Sequence, residues 1–394
     1  MSIRPSRKAA RFTESVIREM SRVCREHGGI NLAQGFPDFP APLAMKDAAA
    51  RAIAQDVNQY AVTWGAPALR QAIARRATAY NGLFAGTGGV DPDAHVTVCC
   101  GATEAMIAAL LAVLDPGDEV VIFEPFYENY GPDCILSGAV PRFVRLREPD
   151  WSFDADELRA AITPRTRAIV VNTPHNPTGA VFGRDELEVI AALCREHDLI
   201  AITDEIYEYI LYGDARHVSL ATLDGMAERT ITISGLSKTW SATGWRIGWA
   251  IAEPGATGAI RKVHDFLTVG APAPLQEAAA EALDFGPDYF AGLGKDYTAR
   301  RDLLVPALEA AGYRVFVPAG AYYAMCDIRG VTDLDDVSYA HELVRDGGVA
   351  TVPGSSFYAD PRDGRHLIRF CFAKRRETLE AAVRVLTERV GARS

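Results

Sequence analysis

A lysine and an arginine lie eight residues apart in a segment rich in small residues. Lys238 lies in the turn after the apolar run 230–234, and Arg246 begins the next run, 246–251. A lysine among Ser, Gly and Trp loses hydration, which frees its amine to form a Schiff base with an aldehyde. Arg246 stays charged and suits a phosphate. The pair favours pyridoxal phosphate as a cofactor, although a lone lysine in such a turn is more often a solvated surface residue.

Two further polar side chains follow apolar runs that are typical of buried strands. Asp204 comes directly after the run 199–203, where an ionised carboxylate is costly unless it is paired. A protonated pyridine nitrogen would be a suitable partner, and an N-cap of a following helix is the alternative. Asn176 lies after the run 167–172, in a loop whose prolines fix the direction of its amide. His175 beside it is interpreted as a structural neighbour.

Two anion sites are predicted. Gly101, Ala102 and Thr103 join a strand to a helix, and the free N–H groups of a helix N-terminus attract anions. The Thr103 hydroxyl either adds a donor or caps the helix. Arg369 lies inside the apolar run 366–372, where a buried guanidinium requires an anion such as the carboxylate of an amino acid. Lys374 and the two arginines after it are interpreted as a solvated helix start.

Three segments resemble those of a known enzyme family. The motif S-x-x-S-K-T-x-S-x-T-G-W-R-x-G-W at 234–249 resembles the cofactor-lysine segment of class I aminotransferases, which have the aspartate aminotransferase fold type I. QGFPDFP at 34–40 resembles a loop of the kynurenine, glutamine and methionine aminotransferase group, and NPTG at 176–179 is a further family mark. The resemblance spans about residues 31–372. It implies pyridoxal 5′-phosphate bound to Lys238, which is also the catalytic base.

The resemblance implies cofactor contacts for a set of other residues. Asp204 pairs with the pyridine nitrogen, Tyr207 and Asn176 contact the phenolic oxygen, and Tyr127 stacks on the ring. The residues implied to contact the phosphate are Gly101, Ala102, Thr103, Arg246 and Tyr60.

Two of the phosphate contacts have particular features. Tyr60 reaches the neighbouring subunit's site in the family, which implies a homodimer with shared active sites; taken alone, it could be an ordinary half-buried aromatic. Many relatives bind phosphate with a serine three residues before the lysine, where this chain has Gly235. Whether Ser234 or Ser237 takes that role stays open.

The resemblance also implies how an amino acid binds. Arg369 clamps the substrate α-carboxylate, the backbone of Gly35 faces it, and Asn176 lies near the substrate. Trp64 lines the substrate pocket, or else it is plain packing. Aromatic, methionine or glutamine-like donors and a 2-oxo acid acceptor are expected, with ping-pong kinetics.

Other functions are compatible with parts of the same pattern. A carbon–sulfur β-lyase or an oxidase uses the same carbanion, and no motif separates these from a transaminase. A regulatory protein that binds the cofactor is disfavoured, because the chain before Asn31 carries no helix-turn-helix pattern. A nicotinamide enzyme is disfavoured because no G-x-G-x-x-G follows a strand.

The elements that position these residues are apolar runs separated by helical patterns. Seven runs are predicted to form a mainly parallel sheet sandwiched by helices, an α/β fold with its site at the carboxyl ends of the strands. The runs are 95–99, 119–123, 140–146, 167–172, 199–203, 230–234 and 246–251. A smaller α+β domain follows, with strands at 313–316, 322–328, 349–352 and 366–372. The predicted domains are an N-terminal arm with part of the small domain (1–42), a large cofactor domain (43–285) and a small C-terminal domain (286–394).

Composition excludes several other classes of protein. The 394 residues are 48% hydrophobic and carry a formal charge of −10, which argues against a nucleic-acid binder. No stretch approaches the roughly 20 apolar residues that span a bilayer, so no membrane association is expected. The seven cysteines form no C-x-x-C pair, which predicts neither a disulfide framework nor a metal site. With no signal sequence predicted either, the cytoplasm is the expected compartment.

Overall fold

The structure is a computed structural model that describes residues 4–391. Within that range, no helix is both long and apolar enough to cross a membrane. The α-helices are α1 Val16–Glu26, α2 Leu43–Ala54, α3 Pro67–Arg76, α4 Ala102–Val113, α5 Tyr130–Ser137, α6 Ala155–Ala161, α7 Arg184–Glu196, α8 Pro254–Leu267, α9 Ala273–Leu283, α10 Pro287–Ala310, α11 Asp336–Gly347 and α12 Arg376–Gly391.

The β-strands form one large sheet and two smaller ones. Their bounds are β1 Ile30–Asn31, β2 Val96–Cys99, β3 Glu119–Glu124, β4 Val140–Arg147, β5 Ser152–Phe153, β6 Thr166–Asn172, β7 Ile200–Asp204, β8 Thr230–Gly235, β9 Gly248–Ile251, β10 Arg314–Phe316, β11 Tyr323–Asp327, β12 Val349–Ala350, β13 Val352–Pro353 and β14 Leu367–Cys371.

The large sheet has the strand order β2-β9-β8-β7-β6-β3-β4-β5. The five neighbouring strands from β8 to β4 pair in parallel, whereas β9 runs antiparallel to both β8 and β2. Every residue of β2, β3, β8 and β9 is buried. Strands that are covered on both faces read as continuous apolar runs, which is why the sequence could locate them. The predicted α/β class, with a mainly parallel sheet sandwiched by helices, is confirmed.

The large sheet differs from the prediction at two places. An eighth strand, β5, adds to the seven predicted ones and forms a two-residue pairing with β4 at the sheet edge. It is too short to leave a periodic pattern in the sequence. The last strand begins at Gly248 rather than at Arg246. Thr243–Trp245 form a 3₁₀ turn, and Arg246 then takes the left-handed conformation with φ of 56°.

A smaller antiparallel sheet, ordered β10-β11-β14-β13, lies in the C-terminal part of the chain. Arg369 lies in the centre of β14, opposite Met325 of β11 and Val352 of β13. The strand predicted at 349–352 is divided in two because β12 pairs with β1 whereas β13 pairs with β14. The backbone of Cys371 also donates to the carbonyl of Leu32. The segment that follows β1 is therefore held against the end of β14.

Helix α1 joins the N-terminal residues to the core of the large sheet. The Ser15 hydroxyl accepts a hydrogen bond from the N–H of Arg18 and so caps the helix. Ile17, Met20 and Cys24 follow at helical spacing and are buried in the core. This placement brings the first turn of α1 to the rim of the site.

Candidate active site

One cavity lies at the carboxyl ends of β2, β3, β6, β7 and β8. These strands run in the same direction, so the residues that follow them meet at one edge of the sheet. The cavity has a volume of about 420 Å³. The predicted site residues that line it are Gly35, Ala102, Thr103, Tyr127, Asn176, Asp204, Tyr207, Lys238 and Arg246. Gly101, Tyr60, Trp64 and Arg369 do not line it.

Lys238 is half-buried in the wall of the cavity, just beyond the end of β8. Its Nζ donates to the carbonyl of Gly35 at 3.3 Å. Burial lowers the pKa of Lys238 from 10.5 to about 8, and the nearby Cys371 and Asp204 offset this only in part. Roughly a tenth of a lysine with this pKa is unprotonated at pH 7. The amine is therefore available as a nucleophile near neutral pH.

Asp204 is buried at the end of β7. Its Oδ2 accepts a hydrogen bond from the Tyr130 hydroxyl at 2.7 Å, and its Oδ1 accepts from the N–H of Ile206 at 3.3 Å. Burial raises the pKa of the Asp204 carboxyl, while these two hydrogen bonds and the nearby Lys238 oppose the rise. No α-helix follows Asp204 directly, so the alternative of a helix N-cap does not hold: the carboxylate caps only a turn.

The start of α4 has the features that suit an anion, in its backbone and in nearby side chains. Gly101 precedes the helix with φ of 84°, and the N–H groups of Ala102 and Thr103 have no acceptor in the described chain. Thr103 is the second residue of α4 rather than its N-cap, and its side chain lines the cavity. The guanidinium of Arg246 approaches so closely that a Cβ on Gly101 would lie 2.2 Å from its Nη2. Free N–H groups and a cation thus converge at one end of the cavity.

The two serines beside the lysine have different roles. The Ser234 hydroxyl donates to Glu208 Oε1 at 2.8 Å and does not line the cavity. Ser237 lines the cavity. Because the direction of each hydroxyl depends on the turn after β8, the sequence left this choice open.

Arg369 is fully buried beside the cavity. Its Nη1 donates to Asn176 Oδ1 at 2.6 Å, and its Nη2 donates to the carbonyl of Ala33 at 3.1 Å. The guanidinium carbon lies 4.1 Å from the ring centre of Tyr323, which lines the cavity. The Nε atom has no hydrogen-bond partner among the described residues, and no carboxylate there pairs with this cation. An anion would complete its coordination.

Three tyrosines, Tyr207, Tyr322 and Tyr323, pack together beside Gly35, and two of them, Tyr207 and Tyr323, line the cavity. The hydroxyls of Tyr207 and Tyr323 lie 3.0 Å apart, and the Tyr322 hydroxyl donates to the Gly35 carbonyl at 2.9 Å. A Cβ on Gly35 would lie 2.0 Å from the Tyr323 hydroxyl, so only glycine fits this approach. Tyr127 is half-buried in the cavity wall.

Sequence reasoning missed Tyr130 and Tyr323. Tyr130 is the first residue of α5 and follows Tyr127 by three residues, in the segment after β3. Its place soon after the end of a strand was the available signal for Tyr130. No comparable signal marks Tyr323, which is one of two adjacent tyrosines at the start of β11.

Tyr60 and Trp64 lie outside the cavity of this chain. Tyr60 is 86% exposed. The ring of Trp64 packs against the guanidinium of Arg261, whose carbon lies 5.0 Å from the ring centre. Neither side chain takes part in this cavity within a single chain.

Two basic residues near the cavity differ in their environment. His175 is buried, its Nδ1 lies 2.7 Å from the Thr178 hydroxyl, and burial lowers its pKa to about 3. It is therefore neutral and bonded within its own loop. The expectation of a solvated helix start is wrong for Lys374, which is 2% exposed, whereas Arg375 and Arg376 are exposed. The reason is that α12 begins only at Arg376, so Lys374 still lies under the segment that follows β1.

Asp133 is a cavity residue that the sequence analysis did not find. It lies in α5, is buried, and its Oδ2 has no hydrogen-bond partner in residues 4–391. Burial raises the pKa of its carboxyl from 3.8 to about 7. A carboxyl of this kind destabilises the folded chain once it ionises.

We expect Asp133→Asn to stabilise the cofactor-free protein at pH 8 but not at pH 4. The raised pKa of Asp133 means that its contribution is complete below about pH 4 and is lost as the pH rises through about 7. The amide does not titrate, so the gain at pH 8 has an upper bound of about 4 kcal/mol at ~1.4 kcal/mol per pKa unit. Urea unfolding of both proteins at the two pH values measures it. An equal stability difference at both would contradict the expectation.

The chemistry of the cavity fits pyridoxal phosphate. The α4 terminus and Arg246 offer N–H donors of the kind that a phosphate requires, and the Ser237 hydroxyl lines the same cavity. Asp204 supplies a carboxylate for a basic ring nitrogen, and Lys238 supplies the amine for an aldehyde. A Cβ on Gly248 would lie 2.4 Å from the backbone nitrogen of Ala102, so a glycine here leaves the phosphate end open.

Known proteins similar to this chain fall in one family. The family described as aminotransferase class I and II matches residues 27–386. The chain is 42% identical to the probable N-succinyldiaminopimelate aminotransferase of Mycobacterium tuberculosis, over 96% of this chain and 97% of that protein. It is 36% identical to the methionine aminotransferase of Escherichia coli, over 98% of each. The solved structure of N-succinyldiaminopimelate aminotransferase from M. tuberculosis matches with a TM-score of 0.93 at 41% identity, covering 98% of this chain and 100% of that one.

Proposed function

Since the chain belongs to the class I and II aminotransferases and is a pyridoxal-phosphate-dependent transaminase, we propose that its donors are L-amino acids with aromatic, methionine-like or glutamine-like side chains. The donor leaves as a 2-oxo acid, and a second 2-oxo acid then takes up the amino group in a ping-pong cycle. The observation that carries the proposal is the pairing of Lys238 with Gly35 and of Arg369 with Ala33. The amine of Lys238 and the guanidinium of Arg369 thus both bind backbone carbonyls of the segment 33–35.

The proposed donor class is supported by the lining of the cavity. Among the rings that line it, Phe36 and Tyr323 have no assigned cofactor contact, and such rings favour a large apolar or aromatic side chain. Arg369 and the N–H of Gly35 bind the α-carboxylate, and Asn176 is held in place by Arg369. A donor whose carboxylate is fixed there would present its α-carbon towards Lys238.

We propose that the chain's own residues hold the cofactor as follows. Ala102, Thr103, Ser237 and Arg246 bind the phosphate, with the turn at Gly101 giving them room. Asp204, held by Tyr130, keeps the ring nitrogen protonated. Tyr207 and Asn176 contact the phenolic oxygen, and Tyr127 lies against the ring. Pyridoxal phosphate supplies the aldehyde that receives the amino group and a ring that withdraws electrons from the substrate α-carbon.

Lys238 acts as the base in this proposal. Once the donor amine has replaced it, the free Lys238 amine takes the proton from the α-carbon of the donor. Its lowered pKa favours the unprotonated form that this step needs. His175, neutral and bonded within its loop, takes no proton.

A panel of donors and acceptors tests the proposed function. Phenylalanine, kynurenine, methionine and glutamine are each paired with pyruvate, 2-oxoglutarate and phenylpyruvate, and product formation is followed. We expect at least one of these donors to turn over only when an acceptor is present. Release of ammonia without an acceptor would favour a lyase or an oxidase instead. The absence of turnover with all four donors would refute the proposed donor class.

A donor with a remote carboxylate is a second candidate. Arg18 lines the outer part of the cavity, and its guanidinium has no hydrogen-bond or ion-pair partner among the described residues. The relative from M. tuberculosis is named for N-succinyldiaminopimelate, which carries such carboxylates. Adding N-succinyl-L,L-diaminopimelate to the panel tests this candidate. A kcat/KM above that of methionine would favour it.

We also propose a homodimer that shares its active sites. The support is a set of large apolar side chains left exposed on the single chain, which includes Tyr60, Val62, Phe266, Leu267 and Val269. The segments that carry them are neighbours, since the carbonyl of Thr63 lies 2.8 Å from His264 Nε2, and exposed apolar side chains grouped in this way mark an interface. In a dimer, Tyr60 of one subunit would reach the phosphate end of its partner's cavity. Sedimentation equilibrium tests this, with a mass near twice 42.7 kDa as the expected result.

Two further proposals concern the domains and the compartment of the protein. We divide the chain into an arm with part of the small domain (1–42), a large domain (43–285) and a small C-terminal domain (286–394), of which residues 1–3 and 392–394 lie outside the described range. We propose the cytoplasm as its compartment, which is supported by seven cysteines that are all free of disulfide bonds.

The rate at which the cofactor-free protein captures pyridoxal phosphate is expected to rise with pH, with a midpoint near 8. The attacking group is the unprotonated amine of Lys238, whose pKa burial lowers to about 8. Stopped-flow absorbance from pH 6.5 to 9.5 measures the rate. A midpoint near 10.5, the ordinary value for lysine, would contradict this prediction.

A further inference from the structure

Lys374 is a buried cation that the catalytic assignment does not use. Its Nζ donates to the carbonyls of Gln34 at 3.2 Å and Phe36 at 2.8 Å, and lies 4.5 Å from the centre of the Phe36 ring. In the part of the chain that the structure describes, Lys374 makes no ion pair with a carboxylate. Burial of an unpaired ammonium group is costly, and a neutral side chain could pack in the same space. The charge therefore requires an explanation beyond packing.

The carbonyls around Lys374 belong to the segment 33–36, and each is held by a side chain from the C-terminal part of the chain. Arg369 holds the carbonyl of Ala33, and Tyr322 holds that of Gly35. Lys374 holds the carbonyls of the two residues that flank Gly35. Each of the four carbonyls of residues 33–36 therefore has a side-chain donor, which restricts the orientation of its peptide group.

The direction of these carbonyls determines where the N–H of Gly35 points. In a trans peptide, the C=O of one residue and the N–H of the next point in opposite directions. The carbonyl of Gln34 points to Lys374, so the N–H of Gly35 points away from it. That N–H has no acceptor among the described residues, and Gly35 lines the cavity. It is a free hydrogen-bond donor two residues after Ala33, whose carbonyl Arg369 binds.

Lys374 also adds charge behind this donor. Arg369 and Lys374 are both buried, and both bind backbone carbonyls of the same four-residue segment. Since neither pairs with a carboxylate in residues 4–391, two positive charges act on the same region of the cavity. In a poorly solvated site, such charges attract an anion more strongly than they do in water.

We propose that Lys374 is a positioning residue for the α-carboxylate of the amino-acid substrate: it turns the N–H of Gly35 towards the carboxylate and supplies positive charge behind it. This inference rests on the proposed function, in which Arg369 and Gly35 bind that carboxylate. Lys374 does not touch the reacting atoms, so it affects substrate affinity rather than the chemical step.

The test compares Lys374→Met with Lys295→Met, the same change at an exposed lysine on α10. Both are assayed with the donor of highest kcat/KM in the panel and with its deamino acid, which is 3-phenylpropanoate for phenylalanine. We expect Lys374→Met to raise the KM of the donor about tenfold, with kcat within about threefold. The dissociation constant of the deamino acid, measured by calorimetry, should rise by a similar factor. Lys295→Met should change neither.

Two further variants separate positioning from folding. Lys374→Arg keeps the charge and is expected to retain a KM close to that of the wild type. Lys374→Gln can still donate to a carbonyl but is neutral, and it is expected to raise KM in the same direction as Lys374→Met, which keeps the test open if the Met variant does not fold. An unchanged KM and dissociation constant in folded neutral variants would overturn the inference, as would equal losses in kcat and kcat/KM. A wild-type enzyme that fails with every donor would instead refute the proposed function.

Discussion

Lys238→Ala is expected to abolish transamination. The variant loses both the amine that holds the cofactor and the base that moves the α-proton, and general-base catalysis alone accounts for about 10²- to 10⁴-fold in rate. The loss in kcat should therefore be about 10⁴-fold or more. The visible absorbance of the lysine-bound cofactor should vanish as well. Lysine-to-alanine substitution at the exposed Lys295 is the matched control and should change neither property.

A covalent test accompanies this substitution. Borohydride reduction of the loaded wild-type protein, followed by peptide mapping, should label position 238. A label at another lysine, or an active Lys238→Ala protein that keeps the absorbance, would remove the basis for every role assigned around the cavity. The geometry at Asp204, with its hydrogen bond from Tyr130, would then need another ligand.

Arg369→Lys is expected to lower kcat/KM about 10²- to 10³-fold for donor and acceptor alike. Loss of one partner of a buried, charged hydrogen-bonded pair costs about 2–5 kcal/mol. Both substrates carry a carboxylate next to the reacting carbon, so both should be affected. The ammonium of lysine is a single point donor, whereas Arg369 reaches Asn176 and Ala33 with two nitrogens and keeps its Nε free. Steady-state kinetics with each substrate in turn measures the effect.

Two controls make the Arg369→Lys result specific. Arg329→Lys makes the same change at a side chain that is 65% exposed and should be without effect. Hydroxylamine attacks the lysine-bound aldehyde but has no carboxylate, so its rate with Arg369→Lys should match the wild type. A slow reaction with hydroxylamine would mean that the variant disturbs the cofactor rather than the substrate, contrary to the assigned role.

Much of the fold could be predicted from the sequence because each buried strand appears as a run of neighbouring apolar residues. The strands of the large sheet are covered on both faces, so each appears as one apolar run, and the polar residue after each run marks the site edge. Short elements were not predicted, because a two-residue strand such as β5 is too short to show a hydrophobic pattern. The start of β9 was placed two residues early because the left-handed turn at Arg246 has no composition signal.

The candidate site divides in the same way. Lys238 and Asn176 were singled out because each lies in a turn of unusual composition after an apolar run, and Asp204 because its carboxylate comes directly at the end of such a run. Lys374 was misread because its burial depends on a contact with a segment 338 residues away in the chain. Asp133 was not predicted, because the residues next to it in the sequence do not indicate that its carboxyl is buried without a hydrogen-bond partner.

By itself, the sequence determined the fold class and, through the resemblance of its short motifs, the family, because apolar runs and short motifs are properties of neighbouring residues. Only the tertiary structure decided the pairings between distant residues: Tyr130 with Asp204, Arg369 with Asn176, and Lys374 with the carbonyls beside Gly35. It also decided that Ser237, and not Ser234, faces the cavity. The direction of a side chain and its loss of water arise from packing between elements that are far apart in the chain, and no local pattern records them.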